Sequence, residues 1–153
     1  MVKSFHFFNE ELGGVADGMY AMYHARTPQG IQDRVLSSLG ETDGFVRIVF
    51  ATNALGLDVN PPDIRRVIHY GIPRDTEDYL QEVARGGRDK QKFDAFMFYQ
   101  PHHLAKCDEA MKTYVRNSTN ECRRKLVCQL FKEKLHSTEV QHDCCDVCAR
   151  GCT

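Results

Sequence analysis

Two groups of residues in this sequence have the types and spacing for chemistry. The first is Gln81-Glu82-Val83-Ala84-Arg85-Gly86-Gly87-Arg88-Asp89. In a helix running from about residue 75 to 85, Gln81 and Arg85 sit four apart on one face while Tyr79 and Val83 turn toward a core. Gly86 and Gly87 let the backbone turn at little steric cost and bring Arg88 back toward Arg85. Two guanidinium groups suit planar oxygen anions, so the stretch reads as a phosphate sensor. The spacing alone describes a solvated helix end with surface arginines equally well. The second group is C-terminal: Cys122, Cys128, Cys144, Cys145, Cys148 and Cys152, with only Cys107 before them. An odd total of seven does not pair completely, and in a reducing compartment such clustering favours metal ligation over disulfides.

The elements that must position these groups follow from periodicity. Phe5, Phe8 and Leu12 predict a short amphipathic helix over 4–12. A strand is expected over 19–24. Thr27 as N-cap and Pro28 as first helical residue then open a helix whose stripe is Ile31, Val35 and Leu39. The nearly all-apolar run 45–51 predicts a strand covered on both faces, as in a parallel sheet. Further strands are expected over 66–70 and 93–99. Strands alternating with helix-length segments argue for an open parallel α/β sheet with ligands at the carboxyl ends of its strands. From residue 101 the pattern turns helical. Leu104, Cys107, Met111 and Val115 mark one helix, and Ser118 with Glu121 forms a capping box opening another with Val127, Leu130 and Phe131 on its apolar face. The domain boundary is placed at 100/101.

A formal charge of -1 over 153 residues argues against binding nucleic acid through bulk charge and leaves site-specific contacts. No apolar run reaches membrane-spanning length, and the first four residues lack the apolar core of a signal peptide. An intracellular protein without a membrane partner is expected.

Several stretches together resemble a known family, the RecQ-type DNA helicases of superfamily two. Residues 51–60, followed by Pro62-Asp63-Ile64-Arg65 and Val67-Ile68-His69, resemble helicase motif V; 81–89 resembles motif VI; Tyr23-His24-Ala25 resembles the short motif that precedes motif V. Cys122-Arg123-Arg124 with the His/Cys tail resembles the family's zinc-binding segment. The motifs occur in the family's order, which makes the joint signal specific. The sequence departs from the family at Arg26, Leu55, Leu57, Asp58 and Ala84.

The resemblance implies a partial RecA-like lobe, the second of two helicase lobes, over 1–100, and a small helical zinc-binding subdomain over 101–153. It implies an ATP-hydrolysing helicase that moves three-prime to five-prime on DNA in replication, recombination and repair, with ATP and Mg2+ bound between the lobes. Arg85 and Arg88 then match the arginines that reach the γ-phosphate, with Gln81 positioning them. Thr52 and Asn53 would meet the backbone of a tracked strand together with His24, and Asn60 would link that loop to the nucleotide. Read without the resemblance, Thr52 is a strand-end hydroxyl satisfied locally and His24 a half-buried histidine bonded to backbone. The 153 residues contain no GxxxxGK[ST] phosphate cradle and no Asp-Glu-x-His segment. The chain is therefore expected to be a fragment, inactive alone, whose partners are single-stranded or branched DNA and the first lobe. A nuclear location is expected, or cytoplasmic in a prokaryote. The rival reading is a non-catalytic remnant that binds nucleic acid or a partner.

The tail has its own logic. His142-x-x-Cys145-x-x-Cys148 with Cys122 upstream has the composition of a closed tetrahedral Zn2+ site of structural kind. Cys144 is the alternative to His142. Cys107 and Cys128 read as thiols on helical faces.

Overall fold

The computed structural model describes residues 19–41, 43–52, 61, 63–132 and 143–151. The helix expected over 4–12 and the candidate residues Asn53, Asn60 and His142 lie outside them. The chain divides into two units, one drawn from Met1–Val67 and Ala84–Asp94, the other from Ile68–Val83 and Ala95–Thr153.

In the first unit, β1 (Tyr20–Tyr23) and β2 (Ile48–Ala51) pair in parallel with Tyr20 opposite Ile48 and Tyr23 opposite Ala51. A parallel pair needs a crossover, and α1 (Gln29–Gly40) supplies it. Arg47 and Ile48 both donate N–H to Met19 O, at 2.6 and 2.9 Å, and Thr52 N–H donates to Tyr23 O at 3.2 Å, so the register is held at both ends. Val46 N–H donates to Ser38 Oγ at 3.0 Å, tying the approach to β2 to the end of α1. Tyr20, Tyr23, Val35, Ser38 and Val46 are buried.

Three local expectations are corrected here. Thr27 does not cap α1: its Oγ1 accepts the N–H of His24 at 3.0 Å, and Pro28 takes the cap position with no side-chain bond. Pro28 O accepts the N–H groups of Ile31 and Gln32, at 2.9 and 3.0 Å, so the helix opens one residue later than expected while the Thr27 hydroxyl serves the end of β1. On the α1 stripe, Val35 is buried but Ile31 is exposed. Nor is β2 covered on both faces, since Ile48 is 43% and Phe45 63% exposed. Among the described residues its one strand neighbour is β1, so the flanking strand and helix that would cover a second face are not there.

The second sheet pairs β3 (Arg66–Tyr70) with β4 (Asp94–Phe98). Asp94 N–H donates to Arg65 O at 3.0 Å and Gly71 N–H to Phe98 O at 2.8 Å, so the strands run the same way. In the second unit, α2 (Thr76–Val83) is capped by Asp75, whose Oδ1 accepts Asp78 N–H at 2.8 Å, and carries Glu77 and Asp78 in its first turn, where the helix dipole favours them.

The helix expected through Leu104 and Val115 is split. A 3-10 turn, Pro101–Lys106, precedes α3 (Glu109–Arg116), which begins where Asp108 Oδ1 accepts Met111 N–H at 2.7 Å. α3 ends at Asn117, whose φ of 40° is left-handed and suits asparagine. Asn117 Nδ2 donates to Glu121 O at 2.8 Å and Oδ1 accepts Glu121 N–H at 3.1 Å. This clasp replaces the expected Ser118–Glu121 capping box, because α4 (Arg123–Leu130) starts only after Cys122. The last helix, α5, is Asp146–Arg150. Tyr79, Cys107, Met111, Tyr114 and Val115 form the core, with Val83, Leu104, Leu126 and Val127 packed around it. Tyr79 and Tyr114 join hydroxyls at 3.1 Å, which satisfies two buried polar groups.

Candidate functional site

The arginine turn begins after Val83, where α2 ends. Gly87 adopts φ +65°, and a Cβ there would lie 2.9 Å from Gln91 O, while a Cβ on the buried Gly86 would run into the Phe93 ring. Only glycine fits either position, so the turn is tight for steric reasons. Arg88 folds back across it, its Nε donating to Ala84 O at 3.2 Å. That bond sets the Arg88 guanidinium against the backbone next to Arg85, which is half-buried. Gln81 is exposed on α2 and its Nε2 donates to Glu77 Oε1 at 3.4 Å, one helical turn back.

At the carboxyl end of the β1–β2 pair the fold brings His24 and Thr52 side by side, each following one residue of the terminal Tyr23–Ala51 pair. His24 is half-buried and its Nδ1 accepts Arg26 N–H at 3.0 Å, which in the neutral ring puts the proton on Nε2. Thr52 is exposed at the strand end. This edge is where parallel α/β sheets bind ligands.

In the second unit the thiols of Cys122, Cys144, Cys145 and Cys148 lie within 4.8 Å of one another. Cys122 and Cys144 sulfurs are 3.6 Å apart, Cys145 and Cys148 sulfurs 3.5 Å. Four sulfurs around a tetrahedral Zn2+ at about 2.3 Å would be separated by roughly 3.8 Å, so this donor set fits zinc in spacing and in chemistry. Burial raises the Cys144 thiol, and the neighbouring Cys122 adds to the rise. Burial acts the same way on Cys145, but hydrogen bonds from the backbone of Cys148, Arg123 and Val147 outweigh it and bring that thiol down to about 7. Cys148 is pushed well above the usual thiol range, first by burial and then by the Cys145 and Cys122 side chains. Such crowding of thiols is relieved when a cation holds them as thiolates.

Sequence reasoning missed what brings these thiols together. Arg123 grips Asp146 with two arms, Nε to Oδ1 at 2.6 Å and Nη2 to Oδ2 at 3.1 Å. Its third nitrogen, Nη1, donates to Tyr114 O at 2.7 Å, and the guanidinium stacks 5.4 Å over the Tyr114 ring. The clamp fastens the start of α4, with Cys122, to the start of α5, with Cys145. No periodicity links residues 23 apart; the available signal was that each clamp residue directly follows a ligand candidate.

The family of helicase conserved C-terminal domains matches residues 2–90, and that match takes in both the β1–β2 edge and the arginine turn. The chain belongs to this family and is a RecQ-type C-terminal helicase lobe. A protein of Acanthamoeba polyphaga mimivirus, whose name assigns it provisionally to the ATP-dependent RNA helicases, is 39% identical over 67% of this chain and 21% of its own. The ATP-dependent DNA helicase RecQ of Haemophilus influenzae is 38% identical over 56% of this chain and 13% of its own. The ATP-dependent DNA helicase Q1 of Pongo abelii is 31% identical over 69% of this chain and 18% of its own. The lobe thus spans about a fifth or less of these relatives. In fold it is similar to the C-terminal domain of the DEAD-box protein Dbp5, with a TM-score of 0.54 and 16% identity over 86% of this chain and 77% of that one. The expected RecA-like α/β architecture is therefore the fold of this lobe, with four clustered cysteines in its helical part. No helix among the described residues is long and apolar enough to cross a membrane.

Proposed function

We propose that this lobe serves an ATP-dependent DNA helicase that moves three-prime to five-prime and unwinds DNA in replication, recombination and repair inside the cell, in the nucleus of a eukaryote. The observation that carries this reading is the arginine turn: two glycines that no other residue can replace fold the chain so that Arg88 bonds the carbonyl of Ala84, the residue before Arg85. ATP with Mg2+, when bound by a first lobe, supplies the transferable phosphoryl group. Arg85 and Arg88 approach the γ-phosphate from the opposite side and stabilise charge that grows on its oxygens, with Gln81 of the preceding helix helping to position them. Thr52, Asn53 and His24 meet the phosphate backbone of the tracked single strand, and Asn60 connects that loop to the nucleotide. Cys122, Cys144, Cys145 and Cys148 hold a structural zinc; the four-thiol spacing supports Cys144, the alternative to His142, as fourth ligand. Zinc there supplies a cross-link between the helices that carry its ligands.

The test is ATP hydrolysis by the chain combined with a separately produced first lobe and single-stranded DNA. Arg88→Ala should lower kcat roughly a thousandfold with little change in ATP binding, and Arg88→Lys should recover little because an ammonium lacks the guanidinium fork. Unchanged turnover would overturn the assignment. Stimulation by single-stranded RNA but not DNA would keep the motor and replace its track.

A further inference from the structure

Arg88 stands between Gly87 and Asp89, and both neighbours are tied to adjacent residues just before β3. Gly87 N–H donates to Ile64 O at 3.1 Å. The Asp89 carboxylate takes both arms of Arg65, Nη1 to Oδ1 at 3.0 Å and Nη2 to Oδ2. Each partner is fixed in turn. Arg65 O accepts Asp94 N–H at 3.0 Å at the start of the β3–β4 pairing, and Asp89 Oδ1 also accepts Gln91 N–H at 3.1 Å. Lys90, at a left-handed φ of 65°, closes the turn by donating N–H to Gly87 O at 2.9 Å.

We infer that Arg65 and Asp89 are positioning residues that hold Arg88 toward its anion. This rests on the reading that Arg88 contacts the nucleotide phosphate. Two physical effects support it. A bidentate guanidinium–carboxylate pair fixes orientation as well as distance, so with the Gly87 bond it pins the backbone on both sides of Arg88. The pair also occupies the carboxylate. An unpaired Asp89 beside Arg88 would compete with phosphate for that guanidinium, and its negative charge would repel the anion. The Arg65 hydrogen bond holds the Asp89 carboxyl below the usual carboxylate range against the opposing effect of burial, so the pair stays charged at neutral pH.

The experiment is a double-variant cycle on the full chain with a separately produced first lobe. Asp89→Asn should lower kcat roughly tenfold to a hundredfold, as expected for a misplaced catalytic group, while KM for ATP stays within about twofold. In an Arg88→Ala background the same change should cost nothing further, because there is no longer a guanidinium to position. Arg65→Lys, which keeps the charge and loses the fork, should follow Asp89→Asn. On the chain alone, amide exchange of Gly87 should rise at least tenfold in Asp89→Asn while the Thr52 amide at the end of the β1–β2 ladder stays protected. If Arg88→Ala collapses turnover but Asp89→Asn does not, or if their effects multiply independently, the positioning role is wrong and the functional reading stands. If Arg88→Ala changes nothing, both fall. Loss of protection at Thr52 as well as Gly87 would make the pair a general stabiliser and overturn the inference too.

Discussion

Cys144 meets Cys122 at 3.6 Å across 22 residues of chain, and Cys145 meets Cys148 at 3.5 Å across one helical turn. These two contacts belong to one cluster, which puts the chemistry of the tail at the level of single side chains. On the proposed zinc reading, metal affinity and local folding are one free energy, because ligands must be deprotonated and gathered. Metal analysis should find one zinc per chain. Cys122→Ser, Cys145→Ser and Cys148→Ser should each lose it, and strong chelators should melt the ends of α4 and α5, read by circular dichroism. Cys144→Ser should also lose it while His142→Ala keeps it. The reverse pair of results would return His142 to the fourth position and leave the site itself intact. Cys107, buried in the core with its Sγ donating to Leu104 O at 3.4 Å, should be dispensable for metal.

At the scale of elements, α3 does most of the positioning in the second unit. Met111 on its inner face is 0% exposed, and Tyr114 beside it bonds Tyr79 on α2 and receives Arg123 of α4 on its ring and its carbonyl. Packing here reaches the cysteines through a short chain of contacts, Met111 and Tyr114 to Arg123 to Asp146. Met111→Ala should therefore destabilise the unit by about 2–5 kcal/mol, the cost of lost burial plus a cavity. Urea unfolding measures that loss, and zinc affinity measured alongside should fall with it. Full stability in Met111→Ala would mean that the core repacks and that α3 is not the frame described.

For the molecule as a whole, the question is what one lobe can do. Phosphoryl transfer needs a phosphate cradle, a held magnesium and a positioned water, and these 153 residues contain no GxxxxGK[ST] and no Asp-Glu-x-His. On the proposed reading, Arg85 and Arg88 complete such a site from the other side. The purified chain with saturating single-stranded DNA should show no ATP hydrolysis above an Arg85→Ala, Arg88→Ala control, and addition of a separately produced first lobe should create it. Turnover by the chain alone would refute this division of labour.

The sequence by itself determined several of the elements and the glycine turn. The strand over 66–70, the Gly86-Gly87 break and the inward Tyr79 all follow from local sterics and periodicity, and the structure has each of them. The shared motifs carried the family, which no periodicity could. Local signals misled where another near neighbour in sequence outcompeted the expected one: Thr27 Oγ1 accepts the N–H of His24, three residues back, and Asn117 holds Glu121, four residues on, in place of Ser118. They were silent where two distant residues had to meet. Arg65 with Asp89, Arg123 with Asp146 and Cys122 with Cys144 are each more than 20 residues apart. Only the folded chain decides such pairs, because side-chain charge and thiol chemistry state what a residue can bind and the backbone path states what it reaches.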